Sequence, residues 1–423
     1  MKPVKLGIIG YGTIGRGLHE LIKANGGLIE NRSGLSVSVS KICDIRTEEV
    51  LPLVGDIPLT NKWEEVTGDP DIDCVVELVG GIEPAKSILL DAIKHNKHIV
   101  TANKKLLAEE GAEIFSSVDT AGLRLGFEAA IGGGIPCLLG LTTGMVGNRI
   151  NSIMGILNGT TNYILSQMED LGLSFDEVLR DAQEKGFAEA DPTFDIEGYD
   201  AGHKIALLAM MAYHRRVDYT KIPIEGITRI EDIDIAYARD MGYRIKLLGI
   251  ARMASDKLEI SVHPTMVPLE HPLAAVRNEF NAVMYDGDMT DPVTLFGKGA
   301  GSLPTASAVI SDIVQIFLSE GGMTVPLSIS AQAELAEPKE IKSKYYLRIN
   351  SKDAPGILSQ ISGILGTYNI SIASVIQKET EENYVPLIIM AHEVDEAAIL
   401  NAADEISNFD FVKGDVIILR VED

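Results

Sequence analysis

The stretch that decides the fold stands at the start of the chain, where residues 4–22 read VKLGIIGYGTIGRGLHELI. Its branched apolar residues predict a short strand, and the apolar spacing that follows predicts an amphipathic helix. The glycines between them form a GxGxxG turn, which suits a tight turn, close approach of a pyrophosphate and close helix packing. A glycine turn without a ligand is the alternative. We predict a dinucleotide-binding turn made by Gly10, Tyr11, Gly12, Thr13, Ile14 and Gly15.

A second predicted strand, residues 37–43, ends at an acidic residue that bears on the choice of dinucleotide. Asp44 is placed to bind the hydroxyl groups of an adenosine ribose, which favours NAD. Arg46, two residues later, is placed to neutralise a 2′-phosphate, which favours NADP. Both are predicted cofactor ligands, and the sequence leaves the preference between NAD and NADP open.

Further strands and helices alternate as in a doubly wound parallel sheet, so the N-terminal domain is predicted to be α/β and Rossmann-type. We expect strands over residues 74–79 and 98–101. Ligands of such sheets lie at the carboxyl ends of the strands. Residues 79–81 and 101–104 fall at those ends, so they are expected to line the nicotinamide side, with Lys104 as a candidate site residue.

The composition is typical of a folded, acidic protein. The chain has 423 residues, 46% of them hydrophobic, and a formal net charge of −24, and its length predicts about three domains. The acidic excess, with no dense Lys/Arg run, argues against nucleic acid as a partner. No apolar stretch reaches the roughly 20 residues of a membrane helix, and we expect no signal peptide. Three cysteines without a CxxC pair favour the reduced cytoplasm.

Residues 182–204, AQEKGFAEADPTFDIEGYDAGHK, concentrate carboxylates, glycines and a lysine in one short segment. The end of the segment predicts a helix, on which Asp200 and Lys204 are four residues apart and project from one face. The alternative is a surface ion pair, worth under about 0.5 kcal/mol. His203 points about 100° away round the helix and is predicted to be structural.

This segment resembles the signature of homoserine dehydrogenases, whose Ala, Gly, Asp-Pro, Asp, Gly, Asp and Lys positions it matches throughout. The resemblance covers about residues 1–320, because other pieces match as well: the N-terminal glycine turn and residues 101–104, 128–136, 158–163 and 299–301. It implies reversible hydride transfer from NAD(P)H to L-aspartate 4-semialdehyde, which yields L-homoserine for threonine, methionine and isoleucine biosynthesis. No aspartokinase-like segment precedes residue 1, so a monofunctional enzyme is expected.

The resemblance also assigns roles to single residues. Lys204 is implied as the catalytic residue with Lys104 as its partner, because a positioned ammonium group stabilises the developing oxygen anion and delivers a proton. Glu189 and Asp200 are implied to bind the ammonium group of the substrate. Asp195 is a third substrate-site carboxylate, which either orients Lys204 or holds water.

Residues 128–136, EAAIGGGIP, are too glycine-rich for an ordinary helix. In the resembled family this loop binds a monovalent cation, usually sodium, through one carboxylate and several carbonyl oxygens. The corresponding residues are Glu128 with the carbonyls of Ile131, Gly133 and Ile135, and hard oxygen ligands suit such a cation. The alternative is a plain hinge between domains. The eight histidines form no zinc-binding pattern.

The first two domains are predicted to be discontinuous. Residues 1–130 form the dinucleotide-binding domain, which a helix over about 302–320 is expected to complete. Residues 131–300 mix helices with strand-like runs, an α+β arrangement expected to carry the substrate site and the dimer contact. The resemblance places Gly186 near the nicotinamide, and the returning helix places Gly301 near the cofactor.

Residues 321–343 lose periodicity and gather glycine, proline and charged residues, which predicts a linker. Residues 344–423 follow the order βαββαβ, a ferredoxin-like module whose last strand is predicted over 412–420. With Asp353-Ala354-Pro355-Gly356 opening its first helix, the module resembles an ACT domain, a sensor of small ligands. Feedback by L-threonine and a homodimer or higher oligomer are expected; a dimerisation module without ligand is the alternative.

Two other functions account for part of the sequence. A phosphorylating semialdehyde dehydrogenase also joins a Rossmann-type domain to an α+β domain, but it needs a nucleophilic cysteine with a nearby base. Cys43 and Cys74 lie on predicted strands of the sheet, and Cys137 lacks a catalytic context. A non-catalytic amino-acid sensor would have no need for the two lysines and Asp200. Both functions therefore fit less of the sequence.

Overall fold

The structure is a computed structural model that describes residues 1–254, 256–318, 329, 331–378 and 383–422. The chain forms two compact units, each with its own core. The first unit consists of Met1–Gly159, Asp200–Ile222 and Phe280–Ala333. The second unit consists of Thr160–Tyr199, Pro223–Glu279 and Glu334–Asp423.

Strands and helices are numbered along the chain. The strands are β1 (Lys2–Ile9), β2 (Leu35–Cys43), β3 (Leu59–Thr60), β4 (Cys74–Glu77), β5 (His98–Thr101), β6 (Leu125–Gly126), β7 (Ile150–Ile156), β8 (Arg215–Arg216), β9 (Tyr243–Ala254), β10 (Lys257–Pro268), β11 (Phe280–Gly287), β12 (Asp291–Lys298), β13 (Ala331–Gln332), β14 (Lys342–Lys352), β15 (Ile372–Gln377), β16 (Tyr384–Asp395) and β17 (Ile417–Val421). The helices are α1 (Thr13–Ser33), α2 (Thr47–Val54), α3 (Glu64–Thr67), α4 (Ala85–Lys94), α5 (Lys104–Thr120), α6 (Cys137–Leu139), α7 (Gly159–Leu171), α8 (Phe175–Glu184), α9 (Thr193–Ile196), α10 (Tyr199–Tyr213), α11 (Asp232–Asp240), α12 (Ser302–Leu318), α13 (Ile357–Thr367) and α14 (Glu396–Ser407).

The first unit contains a six-stranded parallel sheet in the order β3-β2-β1-β4-β5-β6. This is the order of a doubly wound Rossmann-type sheet, whose ligand crevice lies where the strand order reverses, beside β1 and β4. Strand β4 is buried along its whole length, as expected where helices cover both faces of a sheet. The predicted α/β, Rossmann-type fold is confirmed.

Helix α12 returns from late in the chain to pack on this sheet. Its apolar side chains share one buried core with strand β1, a core that includes Leu6, Ile8, Ala306, Val309 and Ile313. A Cβ atom on Gly17 of α1 would lie 2.4 Å from Oγ of Ser302, so only glycine permits this approach of the two helices. The Ser302 hydroxyl donates to the carbonyl oxygen of Thr13 at 2.8 Å. Residues 319–320, which end the predicted helix, lie outside the described residues.

The first unit also contains an antiparallel group in which β11 pairs with β7 and with β12. The short strands β8 and β13 pair in parallel. Strand β13 and the start of β14 both fall within the predicted linker, residues 321–343, so that prediction needs a correction. The linker is partly structured because β13 finds a hydrogen-bonding partner in β8, distant in sequence. Residues 321–328 and 330 of the predicted linker lie outside the described part of the chain.

The second unit contains strands in the order β9-β10-β17-β14-β16-β15. Strand β17 pairs in parallel with β10 and antiparallel with β14, so the sheet of the C-terminal module continues a central hairpin. The module has the predicted order βαββαβ, formed by β14, α13, β15, β16, α14 and β17. Its last strand begins at Ile417, not at residue 412 as predicted. Val412 makes a single bridge to Ser351, and Gly414, with φ of 76°, turns the chain before the strand.

The three cysteines are buried, which does not suit a catalytic nucleophile. Cys43, Cys74 and Cys137 are buried and form no disulfide. Burial, together with nearby acidic residues, raises the pKa of the Cys43 thiol to about 11. Burial also raises the pKa of the other two thiols. These positions disfavour the semialdehyde dehydrogenase that needs a reactive thiolate.

Among the helices of the described ranges, none is both long enough and apolar enough to cross a membrane.

Candidate active site

The glycine turn between β1 and α1 has the backbone geometry that the sequence predicts. Gly10 has φ of 97°, and a Cβ there would lie 2.7 Å from the carbonyl carbon of Leu78. A Cβ on Gly15 would lie 2.4 Å from the carbonyl oxygen of Gly10. Beside Gly12, in contrast, a Cβ would meet nothing within 4 Å. The first turn of α1 carries no acidic residue, so its amides and dipole remain suited to a phosphate.

Asp44 follows β2 and is held by two neighbours. The backbone amide of Tyr11 donates to Asp44 Oδ2 at 2.8 Å. Arg46 donates to the same carboxylate through Nε at 3.0 Å and Nη2 at 2.9 Å. These hydrogen bonds from Arg46 outweigh burial and lower the pKa of Asp44 to about 2. The two residues that bear on cofactor choice therefore form one ion pair, with the Arg46 side chain 44% exposed.

A buried carboxylate organises the loop after β4. Glu77 is fully buried, and its Oε1 accepts from the amides of Val79 at 2.7 Å and Gly80 at 3.1 Å. Its Oε2 accepts from the Thr101 hydroxyl, at the end of β5, at 2.6 Å. One side chain thus fixes the carboxyl ends of two neighbouring strands, where a Rossmann-type sheet holds its ligand.

Asn103 carries this network to the start of α5. Its amide donates to Oγ1 of Thr101 at 3.0 Å, and its side chain donates to the carbonyl oxygen of Gly81. The Asn103 side chain also caps α5 by accepting from the Leu106 amide at 3.1 Å. Lys104 is consequently the first residue of the helix, at the carboxyl end of β5.

Two lysines meet at one carboxylate in the first unit. Lys104 Nζ lies 2.9 Å from Asp200 Oδ1, and Lys204 Nζ lies 2.7 Å from Asp200 Oδ2. Lys204 also donates to the carbonyl oxygen of Leu157 at 2.6 Å. The Asn158 amide group donates to Asp200 Oδ2 at 2.9 Å. The structure therefore brings together three predicted site residues, and the i,i+4 pair is a buried cluster, not a surface ion pair.

Burial makes this cluster electrostatically strong. The side chains of Asp200 and Lys204 are 5% and 8% exposed, and that of Lys104 is 33% exposed. Burial alone would raise the pKa of Asp200, but the ammonium groups of Lys204 and Lys104 hold it well below its usual range. Asp200 is therefore ionised at neutral pH, and its charge offsets the repulsion between the two ammonium groups.

The remaining predicted substrate residues belong to the second unit. Asp195, in α9, accepts from the Thr160 hydroxyl at 2.9 Å, and that hydroxyl also lies 2.8 Å from the carbonyl oxygen of Phe187. Glu189 is exposed, and its backbone carbonyl accepts from the Gln183 side chain at 3.1 Å. Asp195 is thus held in place by the Thr160 hydroxyl, whereas Glu189 is exposed to solvent.

The glycine predicted near the nicotinamide ends a helix. Gly186 lies just after α8, and its φ of 76° suits the left-handed conformation that often ends a helix. Just before it, Lys185 donates to Asp181 at 2.9 Å and to the Tyr163 hydroxyl at 3.0 Å. The Tyr163 ring packs on Phe187 with centroids 4.6 Å apart. This network ties the signature segment to α7.

The predicted cation loop follows β6 and contains a buried carboxylate. Glu128 is 1% exposed, and its side chain accepts from the amides of Leu138 and Leu139, each at 2.8 Å. Its own amide donates to Asp312 Oδ2 at 3.0 Å. Burial, against these backbone hydrogen bonds, raises the pKa of Glu128 to about 7. Burial and the nearby Glu128 charge raise the pKa of Asp312 as well.

The three predicted carbonyl donors of this loop lie in buried backbone. Ile131, Gly133 and Ile135 are all buried. Gly133 has φ of 57°, and a Cβ there would lie 2.4 Å from the carbonyl oxygen of Gly299. The Ile135 carbonyl oxygen accepts from the Cys137 amide at 2.8 Å. Across the described ranges, no group of three or more His, Cys, Asp or Glu side chains is arranged to hold a metal ion.

Gly301 and His203, two further residues of the sequence analysis, each make a hydrogen bond in the structure. Gly301 precedes α12 with φ of 122°, and its carbonyl oxygen accepts from the Thr305 amide at 3.1 Å. His203 Nε2 lies 2.8 Å from Glu109 Oε1, and its ring stacks on Tyr219 with centroids 4.1 Å apart. His203 thus packs against α5 and Tyr219, as the helical angle predicts.

Three residues of these networks were missed by the sequence reasoning. Asn158 and Thr160 lie within the quoted stretch 158–163, so their motif pointed to them without giving a role. Glu77 had a weaker signal, an acidic residue inside the apolar run at 74–79. A charged residue in a buried strand is costly unless it is hydrogen-bonded, which is the observation that singles it out.

Three known families match successive parts of the chain. The family "Homoserine dehydrogenase, NAD binding domain" matches residues 10–128. The family "Homoserine dehydrogenase" matches residues 136–314, and "ACT domain" matches residues 345–410.

Whole relatives are similar over the full chain. The homoserine dehydrogenase of Neisseria gonorrhoeae is 41% identical, over 100% of this chain and 99% of the relative. That of Bacillus subtilis is 37% identical over the same shares. A crystal structure of a homoserine dehydrogenase from Thiobacillus denitrificans has a TM-score of 0.95 at 40% identity, covering 100% of this chain and 99% of that one. The chain belongs to the homoserine dehydrogenase family of oxidoreductases, with an NAD-binding domain and a C-terminal ACT domain.

Proposed function

We propose that the chain catalyses reversible hydride transfer between NAD(P)H and L-aspartate 4-semialdehyde, giving L-homoserine for threonine, methionine and isoleucine biosynthesis. The observation that carries this proposal is the buried cluster in which Asp200 holds Lys104 and Lys204 at 2.9 and 2.7 Å. Lys104 stands at the carboxyl end of a parallel strand, where such sheets bind their ligands. A bound nicotinamide dinucleotide supplies or accepts the hydride.

Lys204 and Lys104 are proposed as the catalytic pair. As the aldehyde is reduced, negative charge develops on its oxygen, and a preorganised ammonium group stabilises that charge and gives up a proton. The buried Lys204 is held by Leu157 and Asp200, which restricts its movement. The Lys104 side chain, which is 33% exposed, is more accessible to solvent for proton exchange.

Glu189, Asp195 and Asp200 are proposed as the carboxylates of the substrate site. The substrate carries an ammonium group, which needs ionised acceptors. Asp200 is ionised, but both of its oxygens already bind lysine, so its main contribution is to position the catalytic pair. The exposed Glu189 is available for direct contact, and Asp195 is fixed by Thr160.

The dinucleotide is proposed to bind at the glycine turn, where the open space at Gly12 and the start of α1 fit a pyrophosphate. Asp44 and Arg46 are proposed to contact the adenosine ribose or its 2′-phosphate. Because Arg46 is partly exposed and already oriented by Asp44, a 2′-phosphate can pair with it without unfolding the loop. Gly186 and Gly301 are proposed to lie near the cofactor.

A monovalent cation, sodium by resemblance, is proposed to bind at residues 128–136. Glu128 and Asp312 are neighbouring buried carboxyl groups with raised pKa values, a setting that a cation would stabilise. Glu128 and the carbonyls of Ile131, Gly133 and Ile135 would hold it, as hard ligands for a hard ion. The cation would add a positive charge to this buried region.

The ACT domain implies regulation, and we propose L-threonine as the effector, bound near the turn at residues 353–356. In this turn Gly356 has φ of 90° directly before α13, and its position carries no side-chain cap, so the start of the helix suits a carboxylate. Strand β15 is the edge strand of its sheet, which suits pairing with a second copy. We further propose a homodimer or higher oligomer and a cytoplasmic location, since the three thiols are unpaired.

The experiment that tests the proposed reaction is the initial rate of reduced cofactor formation from L-homoserine. NAD and NADP are compared in parallel, each with and without L-threonine. We expect activity with at least one cofactor and a lower rate with threonine. A folded protein that binds the dinucleotide but shows no rate with either cofactor would contradict the reaction. A rate that threonine leaves unchanged would contradict only the effector.

A further inference from the structure

A cavity with a mainly apolar wall and a few charged side chains lies in the second unit, where β10 and β17 meet the start of α14 and residues 223–229. Its volume is about 370 Å³, within the roughly 300–1,000 Å³ of small-molecule pockets. Strand β17 pairs with β10 at Thr265 and Arg420, so the cavity lies where the ACT domain joins the central strands. None of the residues given a role above lines this cavity.

One buried polar atom of a residue in its wall, on His263, lacks a hydrogen bond. His263 is 6% exposed, and its Nδ1 lies 2.8 Å from Oγ1 of Thr265. The other ring nitrogen, Nε2, has no hydrogen-bond partner among the described residues. An unsatisfied buried group costs about 1–3 kcal/mol, so native proteins rarely leave one without a partner. A molecule bound in the cavity can therefore satisfy this nitrogen of His263.

The same cavity offers both signs of charge. The buried guanidinium of Arg420 donates to the Glu396 carboxylate and to the Ser261 hydroxyl, the latter at 3.1 Å. A second carboxylate, Glu225, and a second guanidinium, Arg229, also line the cavity, and both side chains are exposed. A ligand that matches this lining carries a positive and a negative group.

The rest of the lining is aliphatic, with Val262, Val416, Ile418 and Leu400 among the residues that form it. Burial and the Arg420 charge lower the pKa of His263 well below its ordinary value, so its imidazole is neutral and acts through hydrogen bonding. Arg420 and Glu396 pair with each other in the cavity wall, so an inorganic anion or a simple amine would interact with only one member of this pair. Only a zwitterion with an apolar part uses the charged groups and the aliphatic wall together.

We propose that this cavity binds a free α-amino acid with an aliphatic side chain. The carboxylate of the ligand faces Arg420 and His263, its ammonium group faces Glu225 and Glu396, and its side chain packs on the aliphatic wall. The cavity is distinct from the turn at residues 353–356 proposed for threonine. The inference does not rest on the proposed reaction, because it concerns binding alone.

The test is calorimetric titration of the full-length protein with L-valine, L-isoleucine and L-leucine in turn. Isobutylamine and 3-methylbutanoate serve as ligands that each carry only one of the two charges. Two variants address the cavity: His263→Leu removes the unsatisfied nitrogen, and Leu400→Trp fills space from a side chain that is 47% exposed. Because Leu400 is exposed, the second variant is expected to fold. Asp353→Asn, at the other proposed site, is the matched control.

We expect at least one amino acid to bind, with affinity about tenfold weaker or worse in both cavity variants and unchanged in Asp353→Asn. The ligands of single charge are expected to bind at least about tenfold more weakly than the matching amino acid. Loss of binding in Asp353→Asn, with binding kept in Leu400→Trp, would overturn the proposal. So would the absence of binding by every amino acid up to about 10 mM. If His263→Leu fails to fold, Leu400→Trp decides the outcome.

Discussion

Replacing Asp200 by asparagine removes the charge that holds the two lysines. The side chain keeps its size, but two ammonium groups, one of them 8% exposed, lose their counter-ion. At 2.7 Å and an effective dielectric constant of about 20, the lost attraction to Lys204 is roughly 6 kcal/mol before desolvation is counted. Breaking one partner of a buried pair costs about 3–5 kcal/mol net. We expect about 3 kcal/mol for Asp200→Asn, because the amide oxygen still accepts one hydrogen bond.

The assay combines urea unfolding with turnover. We expect the unfolding free energy of Asp200→Asn to fall at neutral pH and its turnover to fall by about 10²–10³. The lysines hold the pKa of Asp200 below its unfolded value, so its stabilisation is present above that unfolded value and lost as the pH falls through the folded one. The difference between wild type and variant should therefore shrink only in strong acid.

The matched control for this prediction is an exposed ion pair. Glu110, which is 42% exposed, pairs with Lys86 at 2.6 Å, and Glu110→Gln should change stability by less than about 1 kcal/mol. If Asp200→Asn behaves like Glu110→Gln in both stability and turnover, the argument from the buried cluster is refuted.

Three further predictions follow from the first unit. Arg46→Ala should raise the KM for NADP about 10- to 100-fold, through loss of charge-assisted hydrogen bonds to the 2′-phosphate, and leave the KM for NAD nearly unchanged; equal effects on both would contradict the role of Arg46. Burial raises the pKa of Glu128 to about 7, so below that pH a proton competes with sodium for the carboxylate. The sodium concentration that gives half-maximal activation should therefore rise about tenfold per pH unit below that value. Sodium titrations at constant ionic strength with choline would show this, and a flat pH dependence would argue against the site. Gly17→Ala should destabilise the fold by about 1–3 kcal/mol, because the new Cβ would lie 2.4 Å from Ser302. In the same helix, the new Cβ of Gly26→Ala would meet nothing within 4 Å, so this variant should be more stable by about 0.5–1 kcal/mol. Urea midpoints that shift in the same direction in both variants would refute the packing argument.

Much of the nucleotide-binding part could be predicted because its signals are local. The turn at Gly10 and Gly15 follows from glycine spacing, and the parallel sheet follows from the alternation of strands and helices. The Asp200–Lys204 contact likewise follows from i,i+4 spacing on one helix. In each case the residues that make the contact are close in sequence, so their spacing alone predicts it.

The remaining features depend on partners that are distant in sequence. The meeting of Lys104 with Asp200 joins a helix of the sheet to a helix nearly a hundred residues later, and no spacing rule predicts it. The sequence predicts a linker where β13 forms, because the partner strand β8 lies far upstream. The role of Glu77 emerges only when β4 and β5 are seen side by side. Burial and long-range pairing, not residue type, decide these cases.

The most direct test of the central claim is the turnover of Lys204→Ala with L-homoserine, measured beside its affinity for the dinucleotide. If Lys204 is the catalytic residue, turnover falls by about 10²–10⁴, while the dissociation constant of the cofactor stays within roughly twofold. Turnover comparable to wild type, in a variant that folds and binds the cofactor, would contradict the account.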